Sequence, residues 1–348
     1  MSNPVAQFEG KFADKIGTKY AIAVNSGTSA LHAALVACDV RGGEVIMPAL
    51  CPAMDAFAII HAGAKSVFAD VDPKTHLVTY ETVFPIINDK TRAIIAVALH
   101  GLPVDMTKLM SFKELVSMKN IFVIEDCAQA LFAHYENTYA GVKADIGCFS
   151  FEKKKHLTTG SEGGMIITNN ADLATRARKF AGIGYKHMTA EAGRTSLDAS
   201  VYQRPDYERF DTIGLNYRLS ESQAEIGLEK LKFIDTVLNQ RREVAFRWQR
   251  ALETEFQPHD YNADNSFYSA AFDYQGDDWL GVYNRFVAAG GDGFYAMPQC
   301  PYNEPALSLL KFQNPIAESL QKRLMLFKTH YKTIAHAQRQ CDILQSIL

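Results

Sequence analysis

The chain reads as an α/β protein built on a mostly parallel sheet, and three observations lead there. Largely apolar runs of strand length recur at 21–24, 44–47, 66–71, 93–99, 121–124, 146–151 and 165–168. They are mostly unbroken rather than alternating, so each strand is expected to be covered on both faces. Segments with helical spacing separate most of them, at 29–38, 51–61, 106–117 and 172–180, and such alternation argues for a parallel sheet flanked by helices. Beyond residue 220 the pattern changes. With 348 residues the chain exceeds what one compact core usually holds. A large α/β domain over 1–225 and a smaller C-terminal α+β domain over 226–348 is the expected organisation.

Taken in order, a helix over 5–16 precedes the first strand. That strand runs straight into Asn25-Ser26-Gly27-Thr28-Ser29 and the helix at 29–38. The second strand leads to the helix at 51–61, and the fifth ends in Ile124-Glu125-Asp126. From Ser220 a long helical segment runs to about Glu253, opened by a capping box of Ser220 and Gln223. Its apolar positions Ile226, Leu231, Ile234, Val237 and Leu238 are expected to keep one face buried. Residues 254–300 are turn-rich and aromatic, and the last thirty-odd return to helix. His330 and His336 there read as surface or packing residues rather than metal ligands, and the aromatics Tyr268, Tyr274, Trp279, Phe294 and Tyr295 read mostly as small-domain core, with Phe294-Tyr295 a candidate lining for a substrate pocket.

Composition narrows the function classes. Hydrophobic residues at 47% against 22% charged exclude a disordered chain. Thirty-six Lys and Arg against 39 Asp and Glu leave a net charge of −3, too little for a nucleic-acid partner or an anionic membrane surface. The six cysteines, Cys38, Cys51, Cys127, Cys148, Cys300 and Cys341, stand singly among apolar neighbours with no C-x-x-C, which predicts reduced core thiols and neither a disulfide framework nor a metal site. The opening residues carry no leader-like pattern, and the longest aliphatic run, 93–99, is too short to span a bilayer, so a cytoplasmic protein is expected.

Three segments fall where strands end, the place at which open parallel sheets bind ligands. Gly27-Thr28-Ser29 leads from a strand into a helix, so free backbone N–H groups with the Thr28 and Ser29 hydroxyls make a phosphate cup; the same residues also suit an ordinary helix cap. Asp126 at a sheet end can stay ionised against a buried cation such as a protonated pyridine nitrogen, or simply cap a turn. Lys153-Lys154-Lys155 reads by default as a solvated turn for its first two members. Its surroundings are an aromatic strand and a Gly-rich return, and a lysine drawn into such a pocket loses solvation, its pKa falls, and it can attack a carbonyl. No G-x-G-x-x-G or G-x-x-x-x-G-K-[ST] follows a strand, which weakens nicotinamide and nucleoside-triphosphate readings.

A phosphate cup, an acid for a ring nitrogen and a desolvated lysine are the fixed points of pyridoxal 5'-phosphate binding. At this point the chain resembles the DegT/DnrJ/EryC1/StrS family of sugar aminotransferases, pyridoxal-phosphate enzymes of fold type I. The resemblance runs through S-G-T-S-A-L at 26–31, G-A-K-x-V-F-x-D-V-D at 63–72, H-G-x-P-x-D-M at 100–106, E-D-x-A-Q at 125–129, G-C-F-S-F at 147–151, K-H-L-T-T-G at 155–160, E-G-G-M at 162–165 and G-x-N-Y-R-x-S at 214–220. It implies that Lys155 is the Schiff-base lysine, that Asp126 pairs with the pyridine nitrogen, that Gln129 reaches the ring's phenolic oxygen, and that Thr28, Ser29 and Ser150 hold the phosphate. It further implies that Asn216 contacts the phosphate of a neighbouring subunit, hence a homodimer with shared active sites, while Tyr217 and Arg218 fix that loop. The implied activity is transfer of an amino group from L-glutamate or L-glutamine to a keto sugar, commonly nucleotide-linked, by ping-pong chemistry through Lys155.

Four departures bear on this. Leu50-Cys51-Pro52 stands where many members carry an aromatic that stacks on the pyridine. Gly160-Ser161-Glu162-Gly163-Gly164 is one residue longer than the family's G-E-G-G. The chain starts at its first helix without the segment that usually precedes it, and Ala130-Leu131 replaces the common Ala-His. The rival readings are a sugar dehydratase, in which this family replaces the lysine by His, with His156 adjacent, and a non-catalytic cofactor-binding homologue. Nicotinamide oxidoreduction stands far behind.

Overall fold

A computed structural model describes residues 3–115, 121–191, 199–252, 255–259, 264–295, 300–307, 310 and 312–348. The seven apolar runs form the seven strands of one sheet: β1 (Tyr20–Val24), β2 (Glu44–Pro48), β3 (Lys65–Ala69), β4 (Thr91–Val97), β5 (Phe122–Asp126), β8 (Ile146–Ser150) and β9 (Gly164–Thr168). The pair β6 (His134–Tyr135) and β7 (Thr138–Tyr139) makes a small separate hairpin. The order across the sheet is β1-β9-β8-β5-β4-β2-β3. Neighbours from β3 to β8 are parallel, and β9 runs antiparallel to both β8 and β1. Nearly every strand residue is buried, as unbroken apolar runs require of a sheet covered on both sides.

Helix α1 (Pro4–Ile16) begins where Asn3 accepts the Val5 N–H at 2.8 Å and ends at Gly17, whose φ of 82° suits a residue without Cβ. Its Phe8 and Phe12 pack on Phe149 and Phe151, with ring centroids 5.4–5.6 Å apart. Those two rings flank Ser150, so α1 steadies the sheet exit beneath it. Glu9 fixes the same helix: both its oxygens accept from Arg178 Nη1 at 3.0 Å, and Oε1 also accepts the Ala23 N–H of β1 at 2.8 Å.

A second sheet, antiparallel, joins β10 (Phe256–Pro258), β11 (Ser269–Tyr274) and β12 (Leu324–Lys328). The apolar side chains gather in two clusters. One holds the seven-stranded sheet and reaches Ala224, Leu231 and Ile234; the other begins at Val244 and Trp248 and includes Phe272, Phe286, Phe294 and Phe327.

Several expectations are corrected. The long helix after Ser220 is two helices, Glu221–Leu231 and Ile234–Ala251, separated by a tight turn in which the Lys232 and Phe233 N–H groups bond carbonyls three residues back. The break turns the chain so that Leu231 and Ile234 are both buried, whereas Ile226 is 40% exposed and Val237 and Leu238 are half-buried. The capping box of Ser220 and Gln223 is present. The C-terminal stretch is not helix throughout, because 324–328 pairs with β11 before the final helix Ile334–Gln345. The helix expected over 106–117 is Met106–Leu115, and its last two expected residues, like Glu253, lie outside the described residues. All six cysteines are free and buried. Among the described residues no helix is long and apolar enough to cross a membrane.

Candidate active site

The carboxyl ends of β1, β5 and β8 bring the sequence candidates to one side of the sheet. Helix α2 (Gly27–Ala37) leaves β1 directly, and its cap is Ser26, whose Oγ accepts the Ser29 N–H at 3.1 Å. The Ser29 hydroxyl donates to Asn25 Oδ1 at 2.7 Å, so Ser29 braces the turn from within. What α2 offers outward are the Gly27 and Thr28 N–H groups, which no described residue accepts, and the exposed Thr28 hydroxyl. Gly27 is required here: a Cβ on it would lie 2.7 Å from Ser150 Cβ. Ser150 and the start of α2 thus form the two walls of one cradle.

Asp126, the last residue of β5, is 5% exposed, and its Oδ1 accepts the Ala128 N–H at 2.8 Å. Burial raises its pKa, opposed by that N–H, by the Lys155 ammonium and by a hydrogen bond from Asp55. Glu125, one residue earlier, points to the opposite face and accepts the Gly141 N–H at 2.6 Å. Burial pushes its carboxyl up to about 7. Gln129 turns its Oε1 to the His100 backbone N–H at 2.9 Å, which leaves its amide N–H groups as donors.

Lys155 sits in the loop between β8 and β9. Its Nζ lies 4.3 Å from the ring centroid of Tyr268, while Lys153 and Lys154 are exposed. Burial lowers the Lys155 pKa; the Asp126, Glu152 and Asp55 carboxyls oppose this and the Arg241 guanidinium adds to it. Arg241, itself 3% exposed, donates to Lys154 O at 2.7 Å, to Tyr268 O at 3.1 Å and to Thr329 Oγ1 at 3.2 Å. His156 turns the other way, fully enclosed, with Nε2 on Ser266 O at 3.0 Å. The lysine loop is therefore held from both sides by residues far along the chain.

Asn216 is exposed on a loop against β1, where Arg218 Nε donates to its Oδ1 at 2.9 Å. Tyr217 anchors that loop through its carbonyl to Asn25 N–H at 2.8 Å and its hydroxyl to His32 Nδ1 at 2.9 Å. Nearby Ile213 is 98% exposed, with Leu215 and Phe210 also open.

Residues outside the sequence candidates matter here: Asn25 and Ser26 as braces of the cup, Tyr268 under the lysine, Arg241 behind it, and Asp55 beside Asp126. Tyr268 is a correction, since its ring faces Lys155 rather than packing only in the small domain. Phe294 is a core residue, and exposed Tyr295 stands 5.8 Å from Lys154 Nζ. A cavity of about 1090 Å³ lies apart from the lysine, lined by Lys74, His76, Lys108, His134 and His259. The rings of His76 and His259 lie tilted together beside it with centroids 4.3 Å apart and His100 edge-on to both, and burial holds His100 and His259 below the ordinary imidazole range, His259 at about 3. Among the described residues no three His, Cys, Asp or Glu side chains are arranged to hold a metal.

A model of the DegT/DnrJ/EryC1/StrS aminotransferase family matches residues 1–274. A protein of Escherichia coli O157:H7 named GDP-perosamine synthase is 36% identical over 263 residues, 75% of this chain and 66% of its own length. The matches span under two thirds of the curated relatives' length. The X-ray structure of an aminotransferase from Psychrobacter cryohalolentis superposes with a TM-score of 0.86 at 26% identity, covering 99% of this chain and 91% of that one. A structure of GDP-4-keto-6-deoxymannose-3-dehydratase (ColD) shares the fold at a TM-score of 0.86 and 22% identity, covering 99% and 93%. The fold alone therefore does not choose between amination and dehydration.

Proposed function

The chain belongs to the DegT/DnrJ/EryC1/StrS aminotransferase family, and we propose that it is a pyridoxal-phosphate-dependent aminotransferase moving an amino group from L-glutamate or L-glutamine to a nucleotide-linked keto sugar. The observation that carries this reading is a desolvated lysine amine at 155, on a tyrosine ring and within the field of Asp126, across the sheet end from an anion cradle. The residues present fit the coenzyme. Unpaired N–H groups at Gly27 and Thr28 with the Ser150 hydroxyl suit a phosphate, Asp126 suits a protonated ring nitrogen, and the Gln129 amide suits an anionic phenolic oxygen.

Bound there, the coenzyme supplies an electron-accepting ring. Asp126 keeps the ring nitrogen protonated by offering a carboxylate that burial has stripped of competing water. Lys155 Nζ, its pKa lowered, is available as the neutral amine that attacks an aldehyde and afterwards takes and returns the proton at the donor's Cα. Tyr268 closes one side of that amine from solvent. His156, the rival for this role in a dehydratase, is committed to Ser266 O, which favours the lysine.

The relative named GDP-perosamine synthase supports a sugar carried on a nucleoside diphosphate as acceptor. The exposed Asn216, with Ile213 and Leu215 beside it, supports a homodimer in which that asparagine completes the partner's phosphate site. Protein loaded with pyridoxal phosphate should turn yellow, bleach with glutamate or glutamine, and regain colour when a nucleotide-linked keto sugar is added. Colour that no amino donor bleaches would establish a non-catalytic homologue instead.

A further inference from the structure

Asp55 stands in the first turn of α3 (Met54–His61), the helix that follows β2, and is 1% exposed. Neither of its oxygens receives a well-formed hydrogen bond from a donor among the described residues. Such a carboxyl is costly unless it carries a proton or meets a cation. What lies within hydrogen-bonding reach is another acceptor, the Asp126 carboxyl at the end of β5. Two carboxyls facing each other need one proton between them.

The surrounding groups decide which acid keeps it. Asp126 has the Ala128 N–H on one oxygen and the Lys155 ammonium acting on its charge. Asp55 has Asp126 as its nearest charge, Lys155 as a weaker one, and the thiols of Cys51 and Cys148 around it, both held neutral by burial. Asp55 has only its own backbone N–H and the weaker pull of Lys155 to set against burial and the Asp126 charge, so the ionised form is better supported at Asp126 than at Asp55.

We infer that Asp55 is a positioning residue for the coenzyme's pyridine nitrogen: a neutral carboxylic acid whose O–H donates to the Asp126 carboxylate and holds it in one orientation. With Ala128 on Oδ1 and Asp55 beside it, Asp126 has a fixed rotamer and presents its remaining acceptor site to the ring. The inference rests on the role proposed above for Asp126. A buried acid kept neutral in order to donate is a known device of polar active sites.

The test uses infrared spectra of the coenzyme-free full chain at neutral pH, taken as differences between proteins with and without each substitution. In a Glu125→Gln background, which removes the other buried carboxyl that burial pushes up to about 7, the carbonyl stretch of a protonated carboxylic acid should be present, lost on adding Asp55→Asn, and retained on adding Asp126→Asn. A stretch that survives Asp55→Asn but disappears in Asp126→Asn places the proton on the wrong acid and overturns the inference. Coenzyme titration gives the second readout. Asp55→Asn, which keeps a donor of the same shape, should bind pyridoxal phosphate within about threefold of native affinity, and Asp55→Leu should bind on the order of tenfold or more weakly, as expected for losing a hydrogen bond to a charged group. Equal affinities in the two variants would also overturn it. If the native chain takes up no coenzyme at all, the failure belongs to the function proposed above, since the infrared assignment on the free protein stands independently.

Discussion

Replacing Arg241 by Met tests how the lysine loop is held. The guanidinium makes three hydrogen bonds, to Lys154 O, Tyr268 O and Thr329 Oγ1. Two of these acceptors are not stranded by its loss, since Tyr268 O still receives the Thr329 hydroxyl at 2.9 Å and that hydroxyl also reaches Phe267 O at 2.7 Å. Only the Lys154 carbonyl loses its partner. Leaving one acceptor unmet costs about 1–3 kcal/mol. The guanidinium's remaining bonds largely offset the dehydration of a cation whose pKa burial has already pulled down to about 10. Urea unfolding of Arg241→Met should therefore show a loss near 1–3 kcal/mol with an unchanged m-value. The second consequence concerns the amine. A positive neighbour lowers the Lys155 pKa, so removing it raises that pKa, reduces the neutral fraction at a given pH, and moves capture of pyridoxal phosphate to higher pH. A capture profile that stays in place, or shifts to lower pH, refutes the reasoning even if stability falls as expected.

Four further outcomes can be checked. Lys155→Ala, with His156 intact, should abolish transamination and the yellow absorbance; retained turnover would refute the lysine assignment. Gly27→Ala sets a Cβ against Ser150 at a distance no real contact shows, so coenzyme affinity should collapse while circular dichroism stays native. Glu9→Gln breaks a buried pair with Arg178 and should cost about 3–5 kcal/mol in urea unfolding; an unmoved midpoint would remove the pair from the account of α1. Glu125 is raised from 4.5 to about 7 by burial, so the stability it contributes is complete below about 4.5 and is lost as pH rises through about 7. The difference amounts to about 3 kcal/mol, and Glu125→Gln should lose that pH dependence between acid and neutral melts.

The seven strands were legible because a doubly covered sheet writes itself as unbroken apolar runs, and each observed strand falls within two residues of its run. The placement of Gly27 and Asp126 at strand ends, and of Lys155 in the loop after β8, was legible from the apolar runs, whereas their roles toward a coenzyme came only from the family resemblance, since each segment alone also suits a cap or a turn. Other features were not. The β12 run Leu324–Lys328 is apolar but bounded by Arg323 and Thr329, and short apolar runs carry no period that separates strand from helix. Ile226 stands five residues before Leu231, which puts the two on different faces of one helix, and the face that helix buries is Ala224, Gly227 and Leu231 instead. Tyr268 and Arg241 reach the lysine only through packing of the C-terminal part on the sheet, a contact between residues 86 or more positions apart that no local pattern encodes. Asp55 lies in the first turn of its helix, where the macrodipole alone accounts for an acid; only its burial beside a second acid sets it apart.

The brace from Arg241 to Lys154, with His156 on Ser266 and Lys155 on Tyr268, makes the placement of the Lys155 amine a property of nearly the whole polypeptide. A truncated product ending near 225 would retain cup, acid and lysine in sequence while lacking the guanidinium, the carbonyl and the ring that orient them. During synthesis, then, competence to take up coenzyme should arrive late, once the ribosome has released residues as distant as Thr329.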